Sequence, residues 1–347
     1  DVAVTQQERR QIIDLPPPRA LVTEHRAQTK HCPCCRRQVK ARFPDHVAHR
    51  IVYGANLSAM AVFLAVEHAV SLDRVADINA TISGYRPAAA TIYSMIENCW
   101  ERLEPAEARI IEGIVASEVV HFDESSVRTG TKIHWLHSAS TETLTYLQVH
   151  RQRGSEAMNH LTILPRFQGV AVHDFWKPYL TYDCSHSFCN AHLLRELQWL
   201  EEERKHLWAA RIAELLRAML RQSHDPETKH SDIAAALKHY DELLDDALRQ
   251  HPRNDRTGKR GRTAQSKEYN LLQRLKTYKH DILRFLHDKR VPFTNNLAER
   301  DIRPIKTKMK VSGCFRSTKG ADFYCRIRSY CATVKKQHAN LWNALSQ

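Results

Sequence analysis

The chain has 347 residues, 42% of them hydrophobic, which is enough for two or three domains with real cores and too apolar for bulk disorder. Lys and Arg number 52 against 39 Asp and Glu, a formal net charge of +13, which favours a polyanionic partner, nucleic acid first. No apolar run nears the roughly 18 residues of a spanning helix, and the polar start DVAVTQQERR is no signal peptide, so a membrane partner is not expected and a cytoplasmic location is.

Residues 1–50 read as an extended polar lead, stiffened at Pro16-Pro17-Pro18. The start without Met reads as that of a fragment. His31-Cys32-Pro33-Cys34-Cys35 follows, and Cys32 and Cys35 have the spacing of half a zinc ribbon. His25, His46 and His49 are candidates to complete such a site; the alternative is a degenerate knuckle or a pair of ordinary thiols. The nine cysteines are scattered and odd in number, which points to a reducing compartment rather than a disulfide framework.

Residues 51–114 read as all-helical. The pattern predicts a helix over Leu57–Val70, a second over Leu72–Asn79 capped by Ser71, a turn at Ser83-Gly84-Tyr85, and a third from Pro87 to about Leu103. This is a DNA-binding helix-turn-helix or a generic helical bundle.

Residues 115–186 change to strands. The pattern predicts strands over Glu118–Phe122, ending in Asp123, then Lys132–Ser140 and Glu142–His150. A helix over Ser155–Leu164 and a buried strand over Gly169–His173, ending in Asp174, complete a β-β-β-α-β order. Hairpin connections are expected at Thr129-Gly130-Thr131 and Ser140-Thr141. Glu124 should point away from the face that carries Asp123. His121 and His173 read as buried, satisfied histidines.

Residues 187–290 return to helix, over Phe188–Gln222, from Ser231 to about Gln250, and over Lys267–Asp288. The basic loop Arg253–Arg262 is either a phosphate contact or a solvated loop. Cys184, Cys189 and His192 have ligand types at short spacing, a candidate zinc staple or else a packed turn. In residues 291–347 an Asn-capped helix should carry Glu299, with a cationic track of Arg300, Arg303, Lys306, Lys308, Lys310 and Arg316. Pro304 is expected to interrupt that helix.

Asp123, Asp174 and Glu299 are the candidate catalytic residues. Three carboxylates from two strand ends and a helix can converge on magnesium (or manganese), which prefers hard oxygen ligands. Two such ions, about 3.5–4 Å apart, serve in-line phosphoryl transfer.

In Phe122-Asp123-Glu124, KIHWLHSAS (132–140), GVAVHDFWKPY (169–179), CNAHLLREL (189–197) and NNLAERDIRPIKTKMKVSG (295–313), the chain resembles the insertion sequence 66 transposases from about Asp14 to Leu345. The resemblance implies an RNase H-like fold with a large all-helical insertion. It also implies a catalytic Asp-Asp-Glu triad that maps onto Asp123, Asp174 and Glu299. Phe175 stands where the family pattern has a small residue, and Ser125 where Thr is commoner. The longer N-terminal segment of full-length members is absent. The function implied is metal-dependent cleavage at element ends and transfer of the 3′-hydroxyl into target DNA. The partners implied are double-stranded DNA and further copies of the chain, with accessory element-encoded proteins. The alternatives are a non-catalytic end-binding protein derived from a transposase, and a nuclease that cuts without joining.

Overall fold

The structure, a computed structural model, describes residues 8–16, 18–255 and 263–347. Pro17 and positions 256–262 of the basic loop lie outside the described residues. The chain divides into two compact units, 1–99 with 342–347, and 100–341.

In the first unit, β1 (Thr29–His31) and β2 (Gln38–Lys40) form an antiparallel hairpin. Its turn is a knuckle: the Cys32 N–H donates to Arg37 O at 2.8 Å, the Arg36 N–H donates to Cys32 O at 2.9 Å, and Arg36 adopts φ 53°. Cys32 and Cys35 lie on this turn, but among the described residues no third Cys, His, Asp or Glu completes a ligand group with them. Helix α1 (Ala55–Val62) runs on into a wider π turn, Phe63–Glu67. Ser71 precedes α2 (Leu72–Ser83), which ends at Gly84 in the left-handed conformation that Gly adopts at low cost. The third helix, α3 (Ala89–Arg102), buries Ile92 and Met95, while α1 buries Ala61 and Val62 and α2 buries Val75.

The second unit opens with α4 (Glu104–Val115) and is built on a five-stranded mixed sheet. Its strands are β3 (Val119–Thr129), β4 (Lys132–Ser140), β5 (Thr145–His150), β6 (Val170–His173) and β7 (Ser185–Phe188), in spatial order β5-β4-β3-β6-β7. β3, β4 and β5 are antiparallel neighbours; β6 runs parallel to β3, and β7 parallel to β6. A short helix, α5 (Ser155–His160), lies between β5 and β6 in the chain. The β3–β4 turn is the two residues Gly130-Thr131, with Gly130 at φ 57°. Gly169 admits β6: a Cβ there would meet Glu118 O at 2.4 Å. β7, with its polar Ser185, His186 and Ser187, lacks the apolar run that would mark it as a strand in the sequence.

β3 differs from its expected extent in a way that matters. It does not stop at Asp123, because residues 124–129 keep pairing with β4 after β6 has ended; the register runs from His121↔Ser140 to Thr129↔Lys132.

Two large apolar clusters pack this unit, with a small third one of Val170, Val172 and Val291 on β6 and beside it. Ile110, Ile114, Val120, Phe122, Phe167 and Tyr179 pack one face of the sheet. The other cluster belongs to the helical segment: α6 (Asn190–Arg204), α7 (Leu207–His224), α8 (His230–Gln250), α9 (Lys267–Thr277) and the short α10 (Lys279–Ile282). The expected helix over Phe188–Gln222 is split between α6 and α7 at Lys205, which adopts φ 57°.

Helix α11 (Asn296–Ser312) runs unbroken through Pro304. Proline at this position forfeits the bond to one carbonyl, while the helix is held by buried Leu297, Ala298, Ile302 and Ile305. Asp301 anchors it further. Its Oδ2 accepts from Ser140 Oγ at 2.8 Å, Thr145 Oγ1 at 2.8 Å and Lys336 Nζ at 2.6 Å.

Helix α12 (Thr318–Lys336) covers the exposed edge of the sheet. Ser329 Oγ accepts the Leu147 N–H at 2.8 Å and Thr333 Oγ1 the Thr145 N–H at 3.1 Å, and the Cys325 sulfur bonds the Val149 backbone. Positions four apart on a helix advance about 6 Å and positions two apart on a strand about 6.8 Å. The stripe Cys325, Ser329, Thr333 therefore matches the outward N–H groups of β5 and removes a reactive sheet edge. The chain ends in α13 (Leu341–Ser346).

The Asp301 and Lys336 side chains are 8% and 10% exposed. Asp301→Ala, which strands the buried ammonium, should cost about 3–5 kcal/mol in urea unfolding of the full chain. A cost under about 1 kcal/mol, the range of exposed pairs, would show that the pair does not hold the helix.

Candidate active site

Alternation along β3 puts Val120, Phe122 and Glu124 on the face of the first cluster and His121 and Asp123 on the opposite face, beneath α11. The β3–β6 register pairs His121 with Val172. Continued by two residues, it sets Asp123 opposite Asp174, just where β6 ends and the two strands part. Glu299 comes from the first turn of α11. The carboxyl of Asp123 is pushed up to about 7, by burial first, then by Glu124, Asp174 and Glu299; only the Glu124 N–H, at 2.9 Å, opposes these. The structure thus brings Asp174 and Glu299 within electrostatic reach of Asp123.

Asp174 Oδ1 accepts the Trp176 N–H at 2.8 Å, which fixes the turn after β6. Glu299 Oε1 is buried without a hydrogen-bond partner. Asp123, Asp174 and Glu299 are hard oxygen donors of the kind magnesium or manganese takes, but among the described residues their ligand atoms do not form a group within 4.8 Å; the group of that size joins Glu299 to Cys189 and His192.

Glu124 has a different employment. Its side chain is 2% exposed, it takes a forked bond from Arg153 at 2.7 and 3.0 Å, and it accepts from the Tyr179 hydroxyl. The Arg153 guanidinium lies 4.8 and 4.2 Å from the ring centroids of Trp135 and Trp176. Glu124 points away from the face of Asp123 and is structural, as expected, but it is buried rather than solvated. His121 and His173 are buried as expected. His121 Nδ1 donates to Asn295 Oδ1 at 2.8 Å, and His173 bonds His186 at 3.0 Å. Burial drives both histidines toward the neutral form, His173 down to about 3.

Asn295 occupies the N-cap position of α11 without capping it. Its amide is turned to β3 instead, donating to Phe122 O at 2.7 Å, while its backbone N–H reaches Cys189 Sγ at 3.2 Å. This residue, Asp301 and Arg153 carry no sequence signal beyond the Asn295-Asn296 pair and the charged run around them. Phe175 does not stand alone beside Asp174. It stacks on Phe188 at 3.9 Å, flanked by Tyr278, as part of the helical cluster.

Of the three residues with zinc-like spacing, Cys189 and His192 come together with Glu299, and Cys184 does not. The Cys184 sulfur bonds the Ala171 backbone, its thiol is pushed up to about 11 by burial, and it packs with the other cluster. Arg300, Arg303, Lys306, Lys310 and Arg316 are all exposed. Lys308 is half-buried, its ammonium 5.5 Å from the Tyr324 ring and 5.8 Å from the Phe315 ring. A groove of about 1000 Å³ opens beside Phe175, lined by Lys177, Arg195, Trp199, Lys267 and Arg274.

The Transposase IS66 family model matches residues 50–323, which spans the sheet, the helical segment and all three acids. The chain belongs to the IS66 transposase family. Comparison with curated proteins finds no match. Membership gives the chain a transposase role, and with it DNA as the polyanion that the charge calls for. Among the described residues no helix is long and apolar enough to cross a membrane.

The raised Asp123 carboxyl has a thermodynamic consequence in this IS66 chain. The unfolded chain loses that proton near pH 4 and the folded chain near pH 7, so ionisation destabilises the fold progressively between those values. In metal-free buffer, Asp123→Asn should melt above the parent at about pH 8, by a margin worth roughly 1–3 kcal/mol that vanishes near pH 4. Magnesium should raise the parent's melting temperature and not the variant's. Equal melting at both pH values would show that Asp123 is not strained by its neighbours.

Proposed function

We propose that this chain is a DDE-type DNA transposase on an RNase H-like core, which cuts at the ends of its element and joins the freed 3′-hydroxyl to target DNA. The observation that carries the reading is the β3–β6 register, which continued by two residues sets Asp123 opposite Asp174, with Glu299 near enough on α11 to raise the Asp123 carboxyl. The mixed sheet with β3 and β6 parallel, and a helical segment inserted between Asp174 and Glu299, is consistent with that core. Magnesium or manganese held by the three carboxylates, as two ions, would acidify water and offset the charge that builds on the phosphate in flight.

The residues of the chain do the rest. Asp123 must be ionised to hold a cation, and its approach to neutrality in the metal-free state means that cation and proton compete for it. Asn295 holds the helix of Glu299 against the strand of Asp123. The Arg153–Glu124 bond keeps the neighbouring acid occupied, so Glu124 does not join the trio. Arg300, Arg303, Lys306, Lys310 and Arg316 present an exposed strip for backbone phosphates, a contact type that gives affinity and salt dependence without sequence readout. Lys308 serves instead to hold the Phe315 segment against α12. The aromatic and cationic groove beside Phe175 suits a DNA strand leaving the site. Because both element ends must be handled together, the working form is a homo-oligomer on double-stranded DNA.

The engagement of Phe175 with Phe188 favours an enzyme over a decayed end-binding protein, since the ring packs into the helical cluster. Uncut and pre-cut element ends, each with target DNA and magnesium, separate the three readings. The parent should give joined product, and Asp123→Ala and Glu299→Gln should bind the ends but join nothing. Cutting without joining would mark a nuclease; binding with neither reaction would mark an end-binding protein. In a second assay, Arg303→Ala with Lys306→Ala should weaken DNA binding for all sequences alike and flatten the dependence of log K on log salt by about one unit per lost phosphate contact. An unchanged slope would remove that strip from the interface.

A further inference from the structure

Cys189, His192 and Glu299 offer three ligand atoms that all lie within 4.8 Å of one another. Cys189 ends the link from β7 and immediately precedes α6, His192 sits in the first turn of that helix, and Glu299 sits in the first turn of α11. The Cys-x2-His spacing therefore puts a sulfur and an imidazole side by side at one helix start, facing the carboxylate at another. His192 Nδ1 and Glu299 Oε1 are both buried with no hydrogen-bond partner. Two unpartnered atoms on two members of the same group are unusual, because buried polar atoms are nearly always bonded to protein, water or an ion.

We propose that Cys189, His192 and Glu299 form a binding site for a zinc-class ion, distinct from the oxygen-only trio but sharing Glu299 with it. Thiolate and imidazole select zinc, cobalt(II) or cadmium over magnesium, which takes hard oxygens. Around tetrahedral zinc, ligand atoms at about 2.0–2.3 Å from the metal stand roughly 3.3–3.8 Å apart, so closing the group needs a movement on the order of 1 Å. Three protein ligands leave a fourth position open, on the half-exposed side where His192 and Glu299 lie. Binding releases the Cys189 thiol proton to solvent and involves no change of oxidation state. The shared Glu299 has a consequence that rests on the transposase reading: an ion on Cys189 and His192 draws that carboxylate away from Asp123 and Asp174, so zinc opposes magnesium-dependent joining.

The test is cobalt(II) titration of the full chain in a Cys32→Ser, Cys35→Ser background, which silences the N-terminal knuckle. The expected result is a thiolate-to-cobalt charge-transfer band that saturates at one equivalent and is displaced by zinc. Cys189→Ser should abolish the band, and His192→Gln, at a half-exposed position, should weaken binding about 10–100-fold with the fold intact by circular dichroism. Asp123→Asn should keep the band while losing DNA joining. No band in the parent background, or a band untouched by both Cys189→Ser and His192→Gln, would overturn the proposal. A band on cobalt titration of a protein that, freed of cobalt and supplied with magnesium, still joins no DNA would leave the zinc-class site standing and sink the transposase reading alone.

Discussion

The side chain of Asn295 is the point on which the second unit turns. Its amide binds the His121 ring and the Phe122 carbonyl of β3, and the residue's backbone N–H reaches Cys189 Sγ at the start of α6. Residues 121–122, 189 and 295 are thereby fixed together, although more than a hundred residues of helical segment lie between the last two. That segment has its own apolar cluster, with Leu216, Leu244 and Leu272 at its centre. It can therefore be inserted without disturbing the sheet, provided its two ends return to one place, and Asn295 is where they return. An ordinary N-cap bond would satisfy one helical N–H; the same amide used across the gap instead sets where Glu299 stands.

Electrostatic cost runs through the same region. Burying several acids near one another raises the energy of the charged form, and the displaced Asp123 carboxyl is the visible sign. The two neighbouring acids that α11 and β3 do not devote to the site are neutralised in place: Asp301 by Lys336, and Glu124 by Arg153. Among the described acids of β3 and α11, and Asp174 just after β6, Asp123, Asp174 and Glu299 have no ion pair of their own. The contrast between paired and unpaired acids within a few residues of sequence is what gives the site its character, more than the number of acids.

Much of this was legible in the sequence. Alternation gave the three antiparallel strands, and the family motifs gave the helical insertion and singled out the three acids proposed as the site. What stayed hidden depended on partners distant in sequence. Asp123 reads as a strand end because Glu124, Ser125 and Ser126 break the apolar pattern, yet pairing with β4 carries the strand on to Thr129. Pro304 reads as a break, but tertiary burial of α11 outweighs the single lost bond. β7 has no apolar run to announce it. Cys184 shares the spacing of Cys189 and His192, but it follows the other side of the sheet edge and joins a different cluster. Asp301 looks like one more charge in a basic run until three donors from β4, β5 and α12 are seen to meet on it.

The central claim is that Asp123, Asp174 and Glu299 together hold divalent metal. Anomalous diffraction from crystals of the chain grown with manganese tests it most directly. The account predicts manganese density in contact with oxygens of all three carboxylates in the parent and its loss in Asp123→Asn. Manganese density elsewhere, with these three carboxylates bare at saturating ion, would contradict it.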